Sequence, residues 1–268
     1  MQLEALLAQP GALPSAPAAT AQLISGLDNP DIDSGTVAAC IATDPALTAK
    51  LLKMANSAYF WRGRTVGSIN DALAKMGMRK VRSLAIGMVL NDSFPNVSPD
   101  RLHQLWNYSL NTAELARRLA LEIDLDDGEA YTSGLIHAVG ELPMRVGMTV
   151  AMDRLDSICK PLAFKRAEAQ EAILGYSYAT VGAELAKRWK FPWRIVNGVA
   201  NHVRPYENEV YEPLAGVIHI AAWRGRGIEL ALDRKELITT YPDEVGEALG
   251  VDPDAILDFE SGSEEFAG

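Results

Sequence analysis

The side chains with most to offer chemically are four histidines, His103, His137, His202 and His219. An imidazole is a metal ligand and the side chain that titrates nearest neutrality. His137 has the most informative setting, Gly134-Leu135-Ile136-His137-Ala138-Val139-Gly140-Glu141-Leu142. A hydrolytic metal centre needs several imidazole or carboxylate ligands converging on the ion, with neighbouring groups that hold it and tune its water. Ala138 supplies no ligand atom, and a lone histidine on an apolar helix is more commonly a hydrogen-bonded core residue. No GxSxG elbow, no GxxxxGK[ST] loop and no GxGxxG stretch occurs. Cys40 and Cys159 match neither a CxxC motif nor metal-ligand spacing, so a disulfide framework is excluded and the cytosol is the default compartment. The acidic pair Asp126-Asp127 lies in a polar break and reads as a helix start.

A basic segment is the other candidate. Residues 50–82 hold Lys50, Lys53, Arg62, Arg64, Lys75, Arg79, Lys80 and Arg82 against one acid, Asp71, with Tyr59, Phe60 and Trp61 between them. Such a stretch could contact an acidic protein, a nucleotide or nucleic acid; the plainer reading is a set of solvated helix faces with the aromatics in the core. Arg62, Arg64, Arg79, Lys80 and Arg82 are the candidate partner-binding residues. A second basic-aromatic run, Lys187 to Arg194, reads as packing.

Helices must position all of these groups. Asp44-Pro45 starts the clearest one, an N-cap followed by a residue suited to the first helical position, with Leu47, Leu51, Met54 and Ala55 on one face. The pattern predicts a second helix from about Asn70 to a Gly77 cap and a third through Val81, Leu84, Ala85 and Met88. Turn formers and two prolines fill residues 91–100, the best candidate boundary. Beyond it a long helix carries Leu105, Tyr108, Ala113, Ala116 and Leu119, another runs through Tyr131, Leu135 and Ile136, and residues 166–190 and 193–203 read helical. No alternating strand pattern occurs, so the fold class is all-α. No stretch reaches the roughly 20 apolar residues of a membrane span, and the N-terminus lacks the basic start of a secretory signal.

The ordered motifs resemble the HDOD family, the HD-related output domains of bacterial signalling. Leu13-Pro14, Asp44-Pro45-Ala46-Leu47, Lys50 to Ser57, Ser68-Ile69, Ala72 and Gly77 carry the first part of the likeness. Trp106-Asn107-Tyr108-Ser109, the His137 segment and Val181 to Pro192 carry the second. The likeness spans roughly residues 13–225, and it implies a multi-helix bundle in which an N-terminal helical part, 13–95, packs on an HD-like part, 100–240. Carried over from the metal-dependent HD phosphohydrolases, the ligand positions fall on Tyr108, His137, Ala138, Tyr178, Asn201, His202 and Ala222. Only His137 and His202 keep an imidazole. A residual mononuclear site would have to come from His137, His202 and His219 with Glu141 nearby.

The resemblance therefore implies a regulatory protein without a catalytic metal or cofactor, acting on a protein or nucleotide-signal partner in a bacterial signalling pathway and not on a membrane. A cyclic dinucleotide partner is compatible with it, but no residue speaks for one. The alternatives are a degenerate phosphohydrolase or phosphodiesterase with weak nucleotide activity, and a nucleic-acid-binding regulator using residues 50–82. The net charge of −10 argues against the last, although nine of the 35 acids lie in residues 241–268, which contain no Lys or Arg. That acidic segment reads as partly disordered, and a chain ending near residue 240 is expected to keep its fold.

Overall fold

The computed structural model describes residues 1–9, 13–27, 29, 32–57, 60, 63, 65–207 and 212–259, and no strand occurs among them. The all-α expectation holds. In the first part, α1 (Leu3–Leu7) and α2 (Ala18–Ser25) precede α3 (Ser34–Ala42), α4 (Pro45–Ala55), α5 (Ile69–Met76) and α6 (Met78–Asp92). The starts of α4 and α5 follow from their caps. Asp44 accepts from the amides of Ala46 and Leu47 at 2.9 and 3.0 Å, and Ser68 accepts from that of Asp71 at 3.1 Å. Gly77, at φ 86°, makes the sharp turn that separates α5 from α6.

Residues 93–98 connect α6 to α7 (Pro99–Glu122), the longest helix described. Along α7 lie α8 (Asp127–Ile136) and α14 (Pro213–Glu229), while α9 (Glu141–Gly147), α10 (Thr149–Ile158), α11 (Arg166–Leu174), α12 (Tyr178–Arg188) and α13 (Trp193–Asn201) complete the second part. The sequence pattern placed helix throughout 166–190; the chain breaks there at Gly175, φ 86°, because the next turn must redirect Tyr178 inward. Asp126 caps α8 by accepting from the Glu129 amide at 2.8 Å, as the acidic pair suggested.

Apolar packing crosses the 93–98 connection. One cluster of buried side chains runs from Leu13 and Leu23 through Leu51, Leu84 and Phe94 to Leu110, Leu135, Trp189 and Val199. The Trp189 indole N–H donates to the Pro14 carbonyl at 2.7 Å, fastening the N-terminal segment to the end of α12. Trp189 and Phe191 are buried, as the packing reading required, whereas Trp193 is largely exposed.

Residues 241–259 of the acidic C-terminal segment are folded, so the expectation that the chain could end near residue 240 without cost needs correction. Residues 243–257 form α16 (Asp243–Leu249) and α17 (Pro253–Leu257), after α15 (Arg234–Ile238). Val245, Leu249, Val251, Ile256, Leu257 and Phe259 are buried in a cluster with Leu115, Leu119, Ile218 and Trp223 of α7 and α14. Arg224 donates to the carbonyls of Ile256 and Phe259 at 3.2 and 2.7 Å, and Arg234 pairs with Asp254 and Asp258. The acids lie outward while the apolar residues between them fill one end of the core; charge composition alone concealed that pattern. Glu260, Glu264 and Glu265 lie outside the described residues.

Each buried apolar side chain of this kind contributes about 1.5–3 kcal/mol, and total stabilities are only about 5–15 kcal/mol. Ending the chain at residue 240 is therefore expected to lower stability by at least about 3 kcal/mol in urea melts, and an unchanged midpoint would contradict this packing.

Candidate functional site

Five helices deliver side chains to one interior point. Tyr108 comes from the middle of α7, His137 from the residue that ends α8, Tyr178 from the first position of α12, His202 from the residue that ends α13, and Ala222 and Arg226 from successive turns of α14. Two close approaches make the convergence possible. A Cβ at Gly140 would stand 2.0 Å from the Tyr178 carbonyl oxygen, so the turn after His137 lies directly on the start of α12. At Gly225 a Cβ would stand 2.7 Å from Thr112 Oγ1, so α14 presses onto α7 one turn away from Tyr108.

The rings of Tyr108 and His137 meet edge to face with centroids 4.6 Å apart, and those of His137 and His202 do so at 5.2 Å. His137 Nδ1 lies 2.6 Å from the Gly134 carbonyl oxygen and His202 Nδ1 lies 2.8 Å from that of Val199. Both Nδ1 atoms must therefore carry a proton, and each Nε2 presents a lone pair to the interior. His202 Nε2 accepts from the Tyr178 hydroxyl at 3.2 Å, and that oxygen accepts from Arg226 Nη2 at 2.7 Å. The Arg226 guanidinium also stands 5.3 Å over the Tyr108 ring. His137 Nε2, the Tyr108 hydroxyl and Arg226 Nε are buried without a hydrogen-bond partner.

Of the seven carried-over positions, Tyr108, His137, Ala138, Tyr178, His202 and Ala222 are thus buried here. Asn201 is directed elsewhere, its amide donating to Asn197 at 2.8 Å. His219 is held by its own Nδ1 contact to the His202 carbonyl at 2.7 Å, and His103 sits apart on α7, 3.1 Å from the Asn107 amide. Among the described residues no group of three or more His, Cys, Asp or Glu side chains has the arrangement of a metal site.

A second polar layer supports the first. Gln170 takes the Tyr178 amide hydrogen at 2.7 Å and donates to Glu141 at 2.6 Å. The fully buried Arg166 grips Glu141 at 3.0 and 3.2 Å and lies 2.8 Å from Asp156. Asp156 also meets Arg145 and, at 2.7 Å, Arg101. Burial opposes its ionisation, but the Arg101 hydrogen bond and the charges of Arg145 and Arg166 prevail and hold its carboxyl below the ordinary range. Sequence reading missed Arg226, Arg166, Arg145 and Asp156. The one available signal was the spacing from Ala222 to Arg226, four residues on one helical face.

Of the five candidate partner-binding residues, Arg79, Lys80 and Arg82 are described, and each has a partner within the chain. Arg79 lies 3.0 Å from both Asp126 and Asp127. Lys80 pairs with the half-buried Glu114 at 2.7 Å and faces the rings of Phe60 and Tyr131. Arg82 is buried and donates to the Gly26 carbonyl. Internal partners thus consume cations that a linear reading counts as available. Arg62 and Arg64, with Tyr59 and Trp61, lie outside the described residues.

Burial is the main cause that drives the His137 pKa down from 6.5 to about 3; the Gly134 carbonyl opposes it and the Arg226 charge adds to it. The unfolded chain takes up this proton below pH 6.5 while the folded protein refuses it, so the stability contribution is complete above 6.5 and is lost as pH falls towards 3. At pH 5 the loss from this group is about 2 kcal/mol. Wild type is accordingly expected to lose about 2 kcal/mol more than His137→Gln between pH 7 and pH 5 in denaturant titrations; equal losses would contradict the buried neutral imidazole.

The HDOD domain model matches residues 13–205. A Shewanella amazonensis protein provisionally named a phosphohydrolase is 28% identical, and its crystal structure superposes with a TM-score of 0.76 over 94% of this chain and 91% of that one. A Marinobacter aquaeolei protein provisionally named for signal transduction, 22% identical, shares the fold with a TM-score of 0.73 over 95% of this chain and 60% of its own. An uncharacterized Treponema pallidum protein is 26% identical over 212 residues, 78% of this chain, and this chain spans 41% of that protein's length. With a family model that matches most of its length, the chain belongs to the HDOD domain family.

Proposed function

We propose that this protein is a non-catalytic regulator, an HD-like scaffold that works by binding in a signalling pathway and carries no catalytic metal. The observation that carries the reading is the Arg226 guanidinium, bonded to Tyr178 and stacked over Tyr108 amid the positions from which HD enzymes draw their ligands. A fixed cation there repels a second one, and in a buried setting that repulsion is weakly screened.

The donor set fits a divalent ion poorly for a further reason. His137 and His202 offer two Nε2 lone pairs, one of which receives the Tyr178 hydroxyl hydrogen. Ala138 and Ala222 contribute no ligand atoms. Glu141, the nearest acid to the histidine segment, is held by Arg166 and Gln170. Stable zinc sites use at least three protein ligands, and the two imidazoles have no carboxylate to complete or orient them. The signalling role is the function that the family resemblance implies once hydrolysis is set aside, and it accords with the name of the Marinobacter aquaeolei relative.

The degenerate phosphohydrolase is the reading to be tested against. Protein purified without chelator is expected to contain well under one equivalent of Mn, Ni or Zn by elemental analysis. Added Mn²⁺ or Ni²⁺ should not raise its melting temperature, and bis(p-nitrophenyl) phosphate should not be hydrolysed above background. Stoichiometric metal together with hydrolysis that disappears in His137→Ala would overturn the proposal.

A further inference from the structure

A cavity of about 40 Å³ lies beside Arg226, with Tyr108, Glu141, Arg145 and Tyr178 in its lining. Leu105, Leu142 and Leu162 add apolar side chains to it. Three buried polar atoms of the lining are without partners: Arg226 Nε, Arg145 Nε and the Tyr108 hydroxyl. All three can donate a hydrogen bond, which defines the missing partner as an acceptor.

Charge points the same way. Four guanidinium groups, Arg101, Arg145, Arg166 and Arg226, share three carboxylates, Glu141, Asp153 and Asp156. Arg226 is the one without an ion pair among the described residues, although it is only 9% exposed; the Glu141 carboxylate acts on its charge without pairing with it. Burial opposes such a charge, and a bound counter-charge in direct contact offsets that cost. A single excess positive charge calls for a single negative one. Size allows this, since about 10–15 Å³ of such space holds one water and this cavity offers about 40 Å³. The cavity admits a carboxylate group, and the leucines suit a small apolar body beside it.

We propose that this cavity is a binding site for a small monocarboxylate carried on an apolar body, its carboxylate accepting from Arg226 and the Tyr108 hydroxyl. The proposal deepens the non-catalytic reading, since it requires the guanidinium and not a metal to be the site's cation. Such a ligand would be the signal that a binding protein reads.

The test uses the full chain after EDTA treatment, with metal content measured on the same preparation so that failure of the metal-free reading registers separately. Benzoate, titrated against chloride at equal ionic strength, is expected to raise the melting temperature by about 2 °C or more at saturation. Benzamide, the neutral analogue, and inorganic phosphate should not. Arg226→Met should weaken benzoate binding at least tenfold by calorimetry. If that variant fails to fold, Tyr108→Phe, which removes only an unpartnered hydroxyl, should weaken binding severalfold with the ligand-free melting temperature unchanged. The proposal is overturned if benzoate gives no rise, if benzamide or phosphate matches it, or if binding is unchanged in the folded variants.

Discussion

A guanidinium cannot be left in a protein interior without hydrogen bonds and a fixed place. The disposition of helices around α7 is organised by that constraint. Arg226 reaches the interior from α14, and its N–H finds the Tyr178 hydroxyl, which is free to accept because its own hydrogen goes to His202. His202 can take that hydrogen at Nε2 because Nδ1–H is already committed to the Val199 carbonyl. Donor direction is consistent from the arginine to the backbone of α13. Reversing any member would leave two donors facing each other in a site where water cannot readily compensate.

Such a relay needs its anchors held to within tenths of an ångström, and the surrounding layer does that work. Gln170 bonds the Tyr178 amide and Glu141 together, so the first residue of α12 is fixed to the start of α9. Arg166 then ties Glu141 to Asp156 on α10. The close contact at Gly140 sets the spacing that these bonds presuppose, since any side chain at position 140 would displace the Tyr178 backbone. Buried ion pairs of this kind add little net stability over an apolar core. Their evident role is to specify where Tyr178 and its neighbours sit.

Local signals in the sequence carried further than long-range ones. Asp44-Pro45 and the Asp126-Asp127 pair announced helix starts because a cap is made by residues within three positions of each other. The apolar stripes of α4 and α7 gave the helical class for the same reason. His137 and His202 could be singled out from their motifs, and they lie 5.2 Å apart, ring to ring. Arg226 could not be, because its significance lies in Tyr108 and Tyr178, 118 and 48 positions away. In the basic segment too the partners are distant in sequence: Glu114 and the Gly26 carbonyl are brought to Lys80 and Arg82 only by folding. The acidic C-terminal segment concealed Ile256, Leu257 and Phe259 because charge was read without its spacing.

On the proposed reading, Ala138, Ala222 and Arg226 are parts of one arrangement. Removing acids at positions 138 and 222 from an HD-like centre would leave two imidazoles, two tyrosines and a cavity with no cation to face. Arg226, one helical turn beyond Ala222, brings a positive charge back to the same interior. Under the non-catalytic reading, the scaffold thus exchanges an ion held by carboxylates for a cation supplied by the chain itself. An ion bound from solvent can activate water and depart; a guanidinium does neither, and its charge persists at every physiological pH. What remains available to it is recognition of an anion. The alanines at 138 and 222 and the guanidinium of Arg226 would then act together, the former withholding metal ligands and the latter supplying a cation that can hold an anion.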